Sequence, residues 1–194
     1  MSFDNILYMF YNISGDYMLN NRNYEYNKKL PTGDGYINGQ AKCFVSKMKY
    51  GFFTMAYNGC GIIALYNLMY RKKKRISPAD IAREIYPYSA ICFGLLGNRM
   101  TTLKRFFAAH KMEYTLLKTH EDLINSFEIY DCFILGLWND DKNPFKGKHF
   151  VFVRNINGKA IIYNYSSNMT KPKVFGNISE YLVKRRLTVA YCFK

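Results

Sequence analysis

The chain is predicted to fold as an α+β domain in two layers, an N-terminal helical part packed on an antiparallel β-sheet. Three observations predict it. Helical patterns with start and stop signals fill the middle of the chain, and apolar strand-like runs fill its end. Two of those runs flank Asn157-Gly158, the strongest short hairpin signal. With 194 residues, 49% hydrophobic and 18% aromatic, the chain has material for one core. A domain of that size buries roughly 70% of its unfolded surface. Residues 1–194 are therefore read as a single domain, with a loop-rich extension over 1–45 and a core over about 50–193.

The elements follow in order. Residues 1–40 are rich in Asn and Tyr, with turn chemistry at Pro31-Thr32-Gly33-Asp34-Gly35, and predict loops with a short strand at most over Ile6–Phe10. Residues 43–57 read as irregular. A helix from Cys60 to Arg71 is apolar nearly all round, so it is buried on most sides. Ser77 caps a second helix with Pro78 at its first position and Asp80 completing a capping-box-like pattern; it is predicted to end before Pro87. Thr101 or Thr102 starts a third, with Leu103, Phe106 and Phe107 on one face, ending near His110. Thr119 caps a short helix with Leu123, Ile124 and Phe127 facing inward. Cys132–Trp138 is a continuous apolar run, hence a central strand, and a polar loop follows over residues 139–148. Strands over 149–154 and 160–165, a helix over about 179–185 and a strand over 187–193 complete the sheet.

Composition narrows the function. The net charge of +14, from 28 Lys and Arg against 14 Asp and Glu, creates a field that attracts phosphates or acidic partners. The densest run, Arg71-Lys72-Lys73-Lys74-Arg75, directly follows the apolar helix, where cations complement a helix C-terminus. The aromatics do not interleave with it as a stacking platform for single strands would require, so nucleic acid is not the expected partner. No run of about 20 apolar residues exists to span a membrane. The N-terminus lacks a basic leader and long apolar segment, so a cytoplasmic location is expected. Five cysteines with no CxxC pair argue against a disulfide framework. Cys132 and Cys192 in apolar strands, and Cys92 between Ile91 and Phe93, read as inert core. The three histidines lie far apart, without the close pairing of a zinc site; no metal and no cofactor is expected.

One cysteine stands apart. Cys60 lies between Gly59 and Gly61 at the head of the apolar helix. A helix N-terminus carries unpaired N–H groups and about half a positive charge, which favours thiolate over thiol. The flanking glycines would let a substrate carbonyl approach the backbone, whose N–H groups could receive an oxyanion. A base is needed, and the hairpin supplies one. If Asn157-Gly158 is a two-residue turn, Ile156 opposes Lys159, and His149 and Asn164 fall on one face as diagonal neighbours about 7–8 Å apart. The imidazole could take the thiol proton while the Asn164 amide orients the ring. His110, at a helix end, and His120, in a first helical turn, read as surface residues.

This ordered set resembles the papain-like cysteine peptidases, and within them the bacterial branch related to the double-glycine leader (bacteriocin-processing) peptidases. Cys60-Gly61 opening a helix with Ala64-Leu65, then Lys148-His149-Phe150-Val151-Phe152-Val153, then Ile161-Ile162-Tyr163-Asn164, match that branch over about residues 50–193. The resemblance implies Cys60 as nucleophile, His149 as base and Asn164 as orienter. It also exposes departures. The family has Gln six residues before the cysteine as an oxyanion donor, and here that position is Thr54. Gly59 and Ile62 stand where the branch often has Asp or Asn and Pro. Asn58 or, ranked behind it, Gln40 could supply the missing amide. Losing one oxyanion donor typically costs about 10²–10³ in rate.

The leading expectation is a thiol hydrolase acting on an amide bond of a peptide or protein through a thioester, with acyl transfer to an amine equally compatible. The alternatives are an inactive member of the same fold that binds a peptide or acidic partner, and a basic nucleic-acid-binding protein.

Overall fold

The computed structural model describes residues 15–89, 102–139, 147–183 and 185–194. The expected strand at Ile6–Phe10, the core assignment of Cys92 and most of the polar loop before Lys148 lie outside them. Helix α1 is Asp16–Asn27, and a small hairpin pairs β1, Lys49–Tyr50, with β2, Phe53–Thr54. Four helices follow: α2, Met55–Asn58; α3, Cys60–Arg71; α4, Pro78–Ser89; and α5, Thr102–Ala109. The rest is β3, Thr115–Leu117; α6, His120–Ser126; β4, Cys132–Trp138; β5, Lys148–Ile156; β6, Lys159–Tyr163; β7, Lys173–Phe175; α7, Ile178–Leu182; and β8, Leu187–Phe193. The large sheet has the order β3-β8-β4-β5-β6-β7, with antiparallel neighbours throughout.

The α+β architecture read from the sequence is the observed one, with an addition. Alternate residues of the central strands feed two cores. Ile134, Phe150, Phe152, Tyr191 and Phe193 pack with Ile62, Leu65 and Phe106 from the large helices. Phe133, Leu135, Val151, Val153 and Ala190 pack with Leu123 and Phe127 near α6 and with Ile178 and Leu182 of α7. The sheet is thus covered on both faces, and the two expected layers become three. A strand buried on both sides shows continuous rather than alternating hydrophobicity, as β4 does. Ile124 departs from its expected inward orientation: it stays 41% exposed. The short strands β3 and β7 fall outside the sequence expectation; three-residue edge strands carry too little pattern to read.

Helix α1 replaces the expected loop. Its buried residues are Leu19, Asn20, Asn23 and Asn27, so the inward stripe is amide rather than aliphatic. Each asparagine reaches main chain. Asn23 Nδ2 donates to Gly51 O at 2.8 Å, and Asn27 both donates to Lys49 O at 2.9 Å and accepts from Lys49 N at 2.7 Å. Asn20 Nδ2 donates to Arg83 O at 3.1 Å. That last contact explains a second departure: α4 runs through Pro87 instead of ending before it. A proline inside a helix has no N–H for the carbonyl four residues back. Here that carbonyl is Arg83 O, and Asn20 satisfies it. The start of α4 is as predicted, with Ser77 Oγ accepting from Asp80 N at 3.1 Å.

The hairpin is a two-residue turn with Asn157 (φ 52°) and Gly158 (φ 78°) both left-handed, and Ile156 opposes Lys159. The basic run after α3 is engaged locally. Arg71 pairs with Asp131 at 2.7 Å, Lys72 Nζ donates to Lys194 O, and Lys74 Nζ donates to His110 O at 3.1 Å. No helix among the described residues is long and apolar enough to cross a membrane.

Candidate active site

The corner between α2 and α3 places the thiol. Gly59 N donates to Met55 O at 2.9 Å, and Cys60 is the first residue of α3. A Cβ on Gly59 would stand 2.5 Å from Met55 O and 2.7 Å from Met55 Cβ. The glycine is required by its own chain folding back on it, in addition to any access it gives a substrate. Gly59→Ala is expected to lower unfolding stability by about 1–3 kcal/mol, because the corner must open to admit the methyl group. A urea titration checks this, and a midpoint equal to the parent's would count against the close fit.

Helix α3 packs along β5, whose second residue is His149. The register follows the two-residue turn as far as Phe152 opposite Tyr163. There β6 ends, and Asn164 turns left-handed at φ 58°. That turn aims the Asn164 main-chain carbonyl at the imidazole, with His149 Nε2 2.7 Å from Asn164 O. A carbonyl only accepts, so Nε2 carries a hydrogen and Nδ1 is left for the thiol. The expectation that the Asn164 amide would hold the ring is corrected. The residue is beside His149, but its peptide group makes the contact. Its side chain is buried and faces the other way, with Gln40 N donating to Oδ1 at 3.1 Å and Nδ2 donating to Gln40 Oε1 at 3.3 Å.

Cys60 and His149 lie together on one cleft, and each shifts the other's ionisation. Burial pushes the Cys60 thiol up, but the His149 hydrogen bond and charge, with main-chain hydrogen bonds at Phe150 and Gly61, outweigh it and hold the thiol below its ordinary value. Burial lowers the imidazole, but the Cys60 contact and the Asn164 carbonyl outweigh it and raise His149, against the opposing charge of Arg185. Both directions favour a thiolate–imidazolium pair. The other described cysteines differ. Burial raises Cys43, and it pushes Cys132 and Cys192 up to about 12, in keeping with inert core. Elsewhere, His110 Nε2 lies 3.0 Å from a Glu84 carboxylate oxygen and His120 Nε2 accepts from Leu187 N at 3.2 Å.

A strap over residues 36–41 crosses this region. Asn67, fully buried on α3, accepts from Ile37 N at 2.7 Å and donates to Ile37 O at 2.9 Å. Asn38 Oδ1 accepts from Asn164 N at 3.3 Å, and Ala41 N donates to Ser167 O at 2.8 Å. Gly39, at φ 63°, lies against Met169, and a Cβ there would stand 2.1 Å from Met169 O. The strap brings in Gln40, whose Nε2 donates to Ala56 O at 3.0 Å and Tyr57 O at 3.3 Å.

Cys60 and His149 open onto a cleft of about 470 Å³ that is also lined by Gln40, Tyr57, Lys148 and Arg185. Neither Asn58 nor Thr54 lines it. Asn58 is buried with Nδ2 donating to Tyr50 O at 3.2 Å, and Thr54 sits on β2 opposite Lys49. Of the amides weighed from the sequence, Gln40 is the one at the cleft. Its distance along the chain hid it, since the strap that carries it has no hydrophobic period. Lys148 and Arg185 escaped notice because a lone cation in sequence is indistinguishable from a solvated one. Among the described residues, no cluster of three His, Cys, Asp or Glu could hold a metal ion.

No family model matches the chain, and no curated protein sequence matches it. Its fold is that of a papain-like peptidase domain. A solved structure that shares it is the peptidase domain of Streptococcus ComA, a bi-functional ABC transporter involved in a quorum-sensing pathway. The two are 13% identical, with 71% of this chain and 93% of that chain covered and a TM-score of 0.51. The fold read from the motifs is thus present in the architecture.

Proposed function

We propose that the chain is a thiol-dependent amide hydrolase acting on peptides. The observation that carries this reading is the Cys60–His149 pair at the mouth of a cleft, with the far ring nitrogen held by Asn164 O at 2.7 Å. The Cys60 sulfur attacks the scissile carbonyl, and the oxyanion is received by the Cys60 main-chain N–H at the start of α3. Gln40 supplies the second donor if its amide turns from Ala56 O toward the cleft. The carbon–nitrogen bond then breaks, and the proton on His149 Nδ1 passes to the leaving amine. Water adds to the thioester while Nδ1 takes its proton, and the carbon–sulfur bond breaks to release the acid. The Asn164 carbonyl holds the ring in the tautomer these transfers use.

Iodoacetamide at pH 7, read by mass mapping of digests, is expected to label Cys60 well before Cys43, with Cys132 and Cys192 silent. Hydrolysis of a mixed peptide library should vanish in Cys60→Ala. Equal labelling of Cys60 and Cys43 would end this reading.

A further inference from the structure

Among the described residues, the cleft carries charge of one sign. Lys148 and Arg185 line it together with Cys60 and His149, and no carboxylate among the described residues does. Neither cation is spent on an ion pair among those residues. Aromatic faces hold them instead. Arg185 lies over the Tyr165 ring at 4.6 Å and the Tyr181 ring at 5.2 Å, and Lys148 lies over Trp138 at 4.5 Å. A cation held by a ring keeps hydrogen-bond donors for a further partner, whereas a carboxylate would consume them; Arg185 has five, of which the Tyr165 oxygen engages only part. Arg185 is near enough for its charge to oppose protonation of the His149 ring. It also acts on Tyr165: burial raises that phenol, and the hydrogen bond and charge of Arg185, with Lys173, more than reverse it.

The geometry points to an anion subsite: Arg185 and Lys148 select an acyl substrate that carries a carboxylate beside its scissile carbonyl. This deepens the amide-hydrolase reading and rests on it for the identity of the substrate, while the charge selection is measurable without turnover. Arg185 presents a planar fork that matches a carboxylate with two hydrogen bonds, and Lys148 adds a point charge on the same wall. The carboxylate could belong to an acidic side chain or to a free C-terminus.

Two alkylating reagents of nearly equal size test the subsite: iodoacetate, an anion, and iodoacetamide, its neutral counterpart. The rate with iodoacetate divided by that with iodoacetamide, taken at one cysteine, cancels intrinsic thiol reactivity. At Cys60 this ratio is expected to exceed that at Cys43 by about tenfold, the effect of a unit charge at close range in a partly solvated cleft. It should fall by about the same factor in Arg185→Gln, fall less in Lys148→Gln, and shrink in 0.5 M NaCl. Arg185→Lys keeps the charge and should keep most of the ratio, which separates charge selection from damage to the fold. A ratio at Cys60 no higher than at Cys43, or one unmoved by both Gln variants, overturns the subsite. Sluggish reaction of Cys60 with both reagents would instead overturn the hydrolase reading, and the ratio would still report on the subsite. Peptides paired as Glu against Gln around one bond, and as free against amidated C-termini, then identify the source of the carboxylate. Cleavage without preference in either pair would also reject the proposal.

Discussion

His149→Ala is expected to slow alkylation of Cys60 at pH 7 by on the order of 10²-fold, and to remove peptide hydrolysis by 10³-fold or more. The sign follows from the two shifts. In the parent protein the thiol ionises below its ordinary value and the imidazole loses its proton above its own. The reactive pair therefore exists from the lowered thiol pKa up to the raised imidazole pKa, and alkylation begins on the acid side of the usual thiol range. Without the imidazole, only the main-chain hydrogen bonds at Phe150 and Gly61 are left to offset burial of the thiol, and the onset moves toward the alkaline side. The measurement is the second-order rate constant for iodoacetamide across pH 5 to 10. A profile that stays in place after the substitution would remove His149 from any role in activating the sulfur.

Asn67→Ala is expected to destabilise the fold by about 2–4 kcal/mol, well beyond what its size suggests. The side chain is fully buried, and it satisfies both polar groups of one peptide unit, Ile37 N and Ile37 O. Truncation leaves that donor and acceptor without a partner in a dry interior, where each costs about 1–3 kcal/mol. The damage is also directional, because Ile37 anchors the strap that delivers Gln40. Denaturant titration gives the first effect. The second is seen as a loss of peptide hydrolysis larger than any loss of Cys60 alkylation, since the strap carries Gln40 directly but reaches His149 only through Asn164. A stability change under 0.5 kcal/mol would show that the strap is held by other means.

What could be read from the sequence divides along physical lines. The buried helix of Cys60, the capped start at Ser77 and the central strand at Cys132 were legible because hydrophobic period and cap chemistry are local signals. The pairing of Cys60 with His149 was an expectation from residue chemistry and chain order, to which the family likeness added, and the Asn-Gly turn fixed the hairpin register. Helix α1 was not legible, because its inward stripe is asparagine and its partners are peptide groups distant in sequence. The run of α4 through Pro87 failed for the same reason: the rule for proline assumes a stranded carbonyl, and Asn20 reaches that carbonyl from another helix. The contact at Asn164 was misplaced by one bond class. Period-two reasoning extended β6 beyond Tyr163, whereas a left-handed residue ended it there and exchanged the side chain for the backbone.

That exchange changes what mutagenesis can report. An acceptor belonging to the polypeptide itself survives any replacement at position 164 that tolerates the left-handed twist. Asn164→Gly would leave the oxygen in place, while the lost clasp with Gln40 would register as weakened folding. An alanine scan would therefore score this position for stability and be blind to its bearing on proton transfer. Ester substitution at that linkage, which weakens the carbonyl as an acceptor without altering any side chain, is the perturbation that addresses it.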